Sequence, residues 1–102
     1  MPHGKNPPPS AEAIRRAVGA TIRIRRDSLE IPQERLAYDS DVDRSYLGQI
    51  ERGLHTPTLE TIHKLLPRLQ MKFSEFALEY ETILRREMKT LRKENKEGAL
   101  DS

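Results

Sequence analysis

The chain has 102 residues, of which 35% are hydrophobic and 33% are charged, and its formal net charge at pH 7 is +2. This length suits one small domain. The sequence contains no cysteine, which excludes disulfide bonds and thiol chemistry. No stretch approaches the roughly 20 apolar residues of a membrane span, and the first ten residues lack the apolar segment of a signal peptide. We therefore expect a soluble, cytoplasmic protein without membrane contact.

The distribution of charge is more informative than its total. Residues 71–102 contain 7 basic and 7 acidic groups, so the positive excess lies in residues 1–70. Nucleic-acid-binding domains usually carry a larger excess. If this chain binds a polyanion, the placement of its charges must be responsible.

Residues 1–9 contain four prolines and one glycine, and we expect a flexible arm because so little apolar surface can be buried there. Ser10 is a candidate N-cap for a first helix. That helix is predicted from an apolar stripe with spacings of 3, 1, 3 and 1, which consists of Ile14, Ala17, Val18, Thr21 and Ile22.

Two short helices are predicted next. Pro32 is tolerated in the first turn of a helix and indicates the start of the second, which should run to about Ser40. The third helix is expected to begin near Asp43, and Gly53 suits the left-handed residue after its last turn. Its predicted buried residues are Leu47, Ile50 and Leu54.

Two further helices complete the prediction. The fourth begins at residues 56–58, and Pro67 predicts a kink or a stop within it. Its apolar side consists of Leu59, Ile62, Leu65, Leu66 and Leu69. The fifth begins at residues 73–75 and runs past Leu91. Because no alternating strand pattern is present, the sequence predicts an all-α fold of four or five helices.

The segment DSDVDRSYLGQIE, residues 39–51, partly matches a calcium-binding loop. An EF-hand loop needs oxygen ligands at positions 1, 3 and 5, Gly at position 6 and Glu at position 12. Counted from Asp39, the sixth and twelfth residues are Arg44 and Ile50, so the match fails where the loop is most constrained. We expect no metal here. Asp43 instead suits the N-cap of the third helix, and Asp39 is interpreted as a solvated charge.

A helix of about eight residues, a tight turn and a second helix with one polar face form the helix-turn-helix pattern. Residues 18–76, about 60% of the chain, resemble the XRE (Cro and lambda-repressor-like) helix-turn-helix domain. The matching residues are Val18, Gly19, Ile22, Arg23, Arg26, Gln33, Glu34, Leu36, Ala37, Val42, Arg44, Ser45, Leu47, Ile50, Glu51, Arg52, Gly53, Pro57, Thr58, Leu59 and Leu69.

The resemblance implies a compact five-helix DNA-binding domain over residues 10–76, with residues 43–52 in the major groove and residues 77–102 as a helical extension with a mobile tail. It also implies a structural ion pair between Glu51 and Arg26, whereas the alternative is a solvated Glu51. Asp41 stands where the family usually has Gly in a left-handed turn, a conformation that Asp tolerates better than most residues. Pro32 and Pro67 depart from the family pattern.

The candidate DNA contacts are Gln33, Arg44, Ser45, Tyr46, Gly48, Gln49, Arg52, His55 and Thr56. Arg side chains suit guanine and Gln side chains suit adenine, in both cases through two hydrogen bonds. The resemblance implies that Gln33 anchors a phosphate.

Several of these candidates have a second interpretation. Gly48 either lets bases approach closely or relieves crowding between helices. Tyr46 either contacts a phosphate or packs on the second helix. Arg52, His55 and Thr56 are backbone contacts or solvated surface residues.

The last predicted helix carries more apolar surface than a small core can cover. Its stripe extends to Ile83, Leu84, Met88 and Leu91. An uncovered apolar stripe is typical of a partner surface, and a dimer would match two DNA half-sites about 34 Å apart. We expect a homodimer through this helix, and the alternative is a frayed amphipathic tail.

Together these observations predict a sequence-specific transcriptional regulator, in the form of a dimeric repressor on a palindromic double-stranded operator. An antitoxin, or an adaptor that holds a protein partner with the same domain, is the alternative. An enzyme is not expected, because His55 and His63 are eight residues apart without clustered carboxylates. No cofactor is expected either.

Overall fold

A computed structural model of the chain describes residues 7–101, and the side chains of residues 7–98. Its five α-helices are α1 (Ala11–Ser28), α2 (Gln33–Asp39), α3 (Arg44–Glu51), α4 (Leu59–Leu69) and α5 (Phe73–Asp101). The prediction of an all-α, five-helix fold is confirmed. Most of the predicted N-terminal arm and the end of the tail lie outside the described residues. None of the helices within residues 7–101 has the length and apolarity that crossing a membrane requires.

Three helices begin at polar caps that the sequence supplies. The Ser10 side chain accepts a hydrogen bond from the Ala13 amide at 3.1 Å, and the Thr58 hydroxyl accepts from the Thr61 amide at 3.1 Å. The Asp43 carboxylate accepts from the Tyr46 amide at 2.9 Å. Each bond satisfies an amide that has no partner within its own helix. The predicted roles of Ser10 and Asp43 are confirmed.

Pro67 does not stop α4, contrary to the sequence-based expectation. The helix continues to Leu69 and ends at Gln70, which has a left-handed backbone with φ of 55°. Pro67 lies in the last turn, where its missing amide removes only one helical hydrogen bond. Two carbonyl groups of the last turn are then capped by the following residues. The Gln70 amide donates to the Pro67 carbonyl, and the Met71 amide donates to the Leu66 carbonyl.

The core combines apolar residues from all five helices. Its fully buried large aliphatic members are Ile22, Leu36, Leu47, Ile50, Leu65 and Leu69. Two predicted core residues are instead on the surface, since Leu54 is 56% exposed and Leu59 is 63% exposed. Leu54 follows Gly53, whose φ of 76° turns the chain away from the helical path. Leu59 is the first residue of α4 and lies at the edge of the core rather than within it.

The long helix α5 packs against α1 for much of its length. Ile83, which we expected to extend beyond the core, is only 8% exposed. Leu84, Met88 and Leu91 are half-buried. The prediction of a fully uncovered stripe was therefore wrong, because α1 has 18 residues and reaches alongside the extension.

The backbones of α1 and α3 meet at Gly19. A Cβ atom at this position would overlap the carbonyl oxygen of Ile50 and lie 3.0 Å from that of Glu51. Backbone atoms cannot move aside as a flexible side chain can, so only glycine permits this approach. Gly19 thus fixes the distance between α1 and the end of α3.

An ion pair closes the same junction. The Arg26 guanidinium donates to both oxygens of the Glu51 carboxylate at 2.8 Å and to the Ile31 carbonyl at 2.9 Å. The Glu51 side chain is only 3% exposed, so its charge depends on these partners. The hydrogen bond to Glu51 raises the pKa of Arg26, and burial of the guanidinium opposes this increase. The predicted structural role of Glu51 is confirmed.

Replacement of Glu51 by alanine would leave the Arg26 charge in this junction without its main partner. We expect Glu51→Ala to lower the free energy of unfolding by about 3–5 kcal/mol, measured by urea denaturation. The control is Glu12→Ala, which removes a surface carboxylate that pairs with Arg16 at 3.1 Å. That variant should lose less than about 1 kcal/mol. Equal midpoints for the two variants would contradict the structural role of the buried pair.

Candidate nucleic-acid interface

The polar face of α3 is largely exposed to solvent. Arg44 and Ser45 in its first turn are exposed, Gln49 one turn later is half-buried, and Arg52 at its C-terminal end is exposed. These positions share one side of the helix because side chains three or four residues apart are neighbours. The structure therefore brings four of the predicted contact residues onto one surface.

Gly48 is buried and does not belong to this exposed face, contrary to the sequence-based interpretation. A Cβ atom there would lie 3.4 Å from the side-chain oxygen of Gln33 in α2. The Gln33 amide nitrogen in turn donates to the Glu51 carboxylate at 3.1 Å. The distance of 3.4 Å is an ordinary van der Waals contact with the end of a flexible side chain, so both interpretations of Gly48 stay predictions. The proposed phosphate contact of Gln33 stays a prediction.

Tyr46 is half-buried and packs against the hydrophobic core. Its ring lies 6.0 Å from that of His55, which is exposed in the loop after α3 together with Thr56. The packing interpretation of Tyr46 is thus supported, and a contact of its hydroxyl with DNA stays a prediction. The pair connects α3 to the loop that carries the other candidate backbone contacts.

The three aspartates before α3 have separate structural roles. Asp41 has a left-handed backbone with φ of 55°, as expected, and Asp43 caps α3. The interpretation of Asp39 as a solvated charge was wrong. Its carboxylate accepts hydrogen bonds from Arg35 at 3.0 Å and from Arg68 at 2.8 Å, which ties the end of α2 to α4.

Two arginines of α1 support the end of α3 from behind. Arg23 donates to the Glu51 carbonyl at 3.2 Å, and Arg15 donates to the Gly53 carbonyl at 3.2 Å. Both carbonyls lie where a helix leaves acceptors without internal partners. Sequence reasoning missed these residues, because an arginine on an exposed helix face gives no signal of the backbone that it contacts.

Comparisons with known proteins agree with this geometry. A model of the helix-turn-helix family matches residues 22–76. The chain belongs to the helix-turn-helix family. The matched region contains α2, α3 and α4 together with the loops that join them.

Two characterised regulators are similar in sequence to this helix-turn-helix protein. The control protein C.BamHI of Bacillus amyloliquefaciens is 34% identical over 71 residues, which cover 69% of this chain and 86% of that protein. The HTH-type transcriptional regulator SlrR of Bacillus subtilis (strain 168) is 36% identical over 59 residues, or 57% of this chain. The match spans only 39% of SlrR.

A solved structure is similar as well. The restriction-modification controller protein C.Esp1396I, crystallised as a tetramer with its natural 35 base-pair operator, aligns with a TM-score of 0.65 and 25% identity. The alignment covers 70% of this chain and 93% of that one. The similarity therefore extends over nearly the whole of the smaller protein.

The Asp39 contacts predict a stability change in acid. Hydrogen bonding by Arg68, assisted by Arg35, lowers the pKa of Asp39. A folded-state pKa below the unfolded value of about 3.9 means that the stabilisation is present above about pH 4 and is lost as the pH falls below it. We expect Asp39→Asn to flatten the dependence of the melting temperature on pH in this acidic range.

The control for this prediction is Glu79→Gln, which changes an exposed carboxylate of α5 that forms no ion pair with a described side chain. It should keep the wild-type acid dependence. If Asp39→Asn follows the wild-type curve as closely as the control does, the contacts between α2 and α4 do not stabilise the fold.

Proposed function

We propose that this protein is a sequence-specific DNA-binding transcriptional regulator that inserts α3 into the major groove. The observation that carries the proposal is the exposed polar face of α3, held by a short turn after α2 inside a family-matched domain. A major groove about 12 Å wide admits one α-helix. C.Esp1396I, with the same fold, binds operator DNA.

Base reading is assigned to the free side chains of α3. Arg44 is exposed in its first turn and suits the two acceptors of guanine. Gln49 lies on the same side and suits adenine, and Ser45 can donate to or accept from either.

Phosphate contacts are assigned to residues beside the reading face. Arg52 and the loop residues His55 and Thr56 are exposed at the C-terminal end of α3. Gln33 and Tyr46 are half-buried on the adjoining side. Such contacts fix the register of a protein on the duplex without reading its sequence.

A homodimer suits this mode of binding, because two copies of α3 must reach successive major grooves about 34 Å apart. We assign the dimer contact to the apolar groove between α4 and the first turns of α5. The groove has a volume of about 400 Å³, and its lining includes Thr56, Pro57, Leu59, Phe73 and Phe76.

Two features of the groove favour a second copy of the chain as its occupant. Leu59 and Phe73 expose large apolar surfaces there. The groove also adjoins the loop after α3, because Thr56 and Pro57 are part of its lining. C.Esp1396I is a tetramer on its operator.

This regulator would act as a repressor when its bound dimer occupies a promoter. Binding to chromosomal DNA also places it in the cytoplasm. The competing function is an antitoxin or an adaptor that holds a protein partner through the same domain. Sequence-selective DNA binding that weakens steeply with salt separates the regulator from a pure interaction module.

The base-reading role of Arg44 is tested after the preferred site has been selected from random duplex DNA. We expect Arg44→Ala to lose about 1–3 kcal/mol of binding to that site and to relax the preference at one position, measured by titration against single-base variants. Lys64→Gln is the control, because it changes an exposed cation of α4 outside the proposed contacts. Wild-type discrimination by Arg44→Ala would exclude the assigned role.

The dimer contact is tested with two leucines of similar exposure. Leu59 lies in the groove and is 63% exposed, whereas Leu78 lies outside it and is 68% exposed. A buried lysine charge without a partner is costly, so we expect Leu59→Lys to sediment as a monomer at concentrations where the wild type is dimeric. Leu78→Lys should remain a dimer. The opposite result would indicate that the dimer contact lies on the outer face of α5, where Leu78 is located.

A further inference from the structure

The outer half of α5 contains most of the basic side chains of the C-terminal region. All six that lie between residues 85 and 96 are exposed, and they are Arg85, Arg86, Lys89, Arg92, Lys93 and Lys96. The same stretch contains only two carboxylates, Glu87 and Glu94. Charges that balance over residues 71–102 as a whole are therefore unevenly placed along the helix.

The two signs are also separated around the helix. Glu87 and Glu94 are two turns apart and face α1, where Arg16 lies 4.0 Å and 3.4 Å from their carboxylates. At about 100° per residue, Lys89 and Lys96 project from the opposite side. Within residues 85–96 the basic residues thus form one continuous outward face, and Glu87 and Glu94 are directed toward the domain. The exposed carboxylates of Glu81 and Glu97 lie one turn before Arg85 and one turn after Lys93, at the two ends of this face.

This outward face has no neutralising partner in the part of the chain that the structure describes. None of its six cations forms an ion pair with a described side chain, whereas Arg16, Arg26, Arg35 and Arg68 all do. The helix dipole offers little compensation, because it acts within the last turn and that turn contains no basic residue. The nearby apolar side chains Leu84, Met88 and Leu91 are half-buried. The face is cationic and not apolar, which suits a polyanion better than a packed protein partner.

The inner side of the outer half of α5, which carries Glu87, lies beside the loop after α3. The Cα atom of Arg16 lies 3.4 Å from the position of a Cβ atom at Gly53, in the loop directly after α3. A cleft of about 230 Å³ is lined by Arg16, Arg52 and Glu87, among others. The salt bridges of Arg16 therefore hold the outer half of α5 next to the loop that carries Arg52, His55 and Thr56.

We propose that the outward face of α5 over residues 85–96 is a second DNA-contact surface, which binds the phosphate backbone of a duplex outside the bases that α3 reads. Its cations extend over about 16 Å along the helix axis, and duplex DNA presents about one negative charge per 1.7 Å of its own axis. The proposal rests on the proposed function, because α3 supplies the duplex beside which the face lies. Contacts of this kind raise affinity for every sequence and leave specificity to α3.

The test compares Lys89→Gln/Lys96→Gln with the matched control Lys64→Gln/Lys72→Gln. Both variants remove two exposed lysine charges, and glutamine is nearly as good a helix former as lysine. Each protein is titrated against a long duplex containing the selected site and against a scrambled duplex of equal length, over a range of salt concentrations.

Log affinity falls as log salt concentration rises. We expect Lys89→Gln/Lys96→Gln to make this fall less steep, with a slope smaller in magnitude by about 2 on both duplexes. This corresponds to a loss of affinity that is roughly tenfold larger at 50 mM than at 200 mM salt. The ratio of affinities for selected and scrambled DNA should remain that of the wild type. The control variant should keep the wild-type slope.

Three outcomes would overturn the inference: an unchanged slope for Lys89→Gln/Lys96→Gln, an equal decrease in the control, or a changed ratio of affinities. Vesicles of mixed phosphatidylserine and phosphatidylcholine form an additional arm. Vesicle binding that requires Lys89 and Lys96, with unchanged DNA slopes, would assign the face to a membrane surface instead. If the wild type does not distinguish selected from scrambled DNA, the proposed function itself fails, and this result is separate from the slopes.

Discussion

One buried carboxylate holds the three helices on which the interface depends. Glu51 at the end of α3 accepts hydrogen bonds from Arg26 of α1 and Gln33 of α2. A carboxylate that is almost fully buried is costly unless such partners surround it. The positions of α1 and α2 relative to the reading helix are thus coupled through one side chain.

The contacts of α1 with the C-terminal end of α3 leave the polar face of α3 accessible to a ligand. Gly19 lets the backbone of α1 approach the Ile50 carbonyl, and Arg15 and Arg23 donate to carbonyls at the end of α3. These contacts use backbone groups of α3 and of the following loop, together with side chains of α1. Arg44 and Ser45 remain free for a ligand while the helix that carries them is held at both ends, by the Asp43 cap and by α1. A rigid helix with free side chains is the arrangement that direct base reading requires.

The features that could be predicted from the sequence are those determined within a few residues. The caps at Ser10 and Asp43 follow from local chemistry, whereas the left-handed Asp41 and the pairing of Glu51 followed from the family match. The features that were wrong depend on distant segments. Asp39 meets Arg68 from α4, 29 residues away, and Ile83 is buried because α1 reaches beside it. No local pattern indicates where such partners lie.

The small net charge of this chain does not conflict with binding to a polyanion, because several of its carboxylates form hydrogen bonds or ion pairs within the fold. Asp39 holds two arginines, Asp43 caps α3, and Glu51 is buried against Arg26. Glu87 and Glu94 are directed toward Arg16. Carboxylates that are occupied in this way contribute less repulsion at the outer surface than their number indicates. The exposed cations of α3 and of the outer face of α5 have no such internal partners in the described structure. The sign of the surface potential near DNA therefore depends on which charged side chains are paired within the fold. It does not depend on the difference between the total numbers of basic and acidic residues.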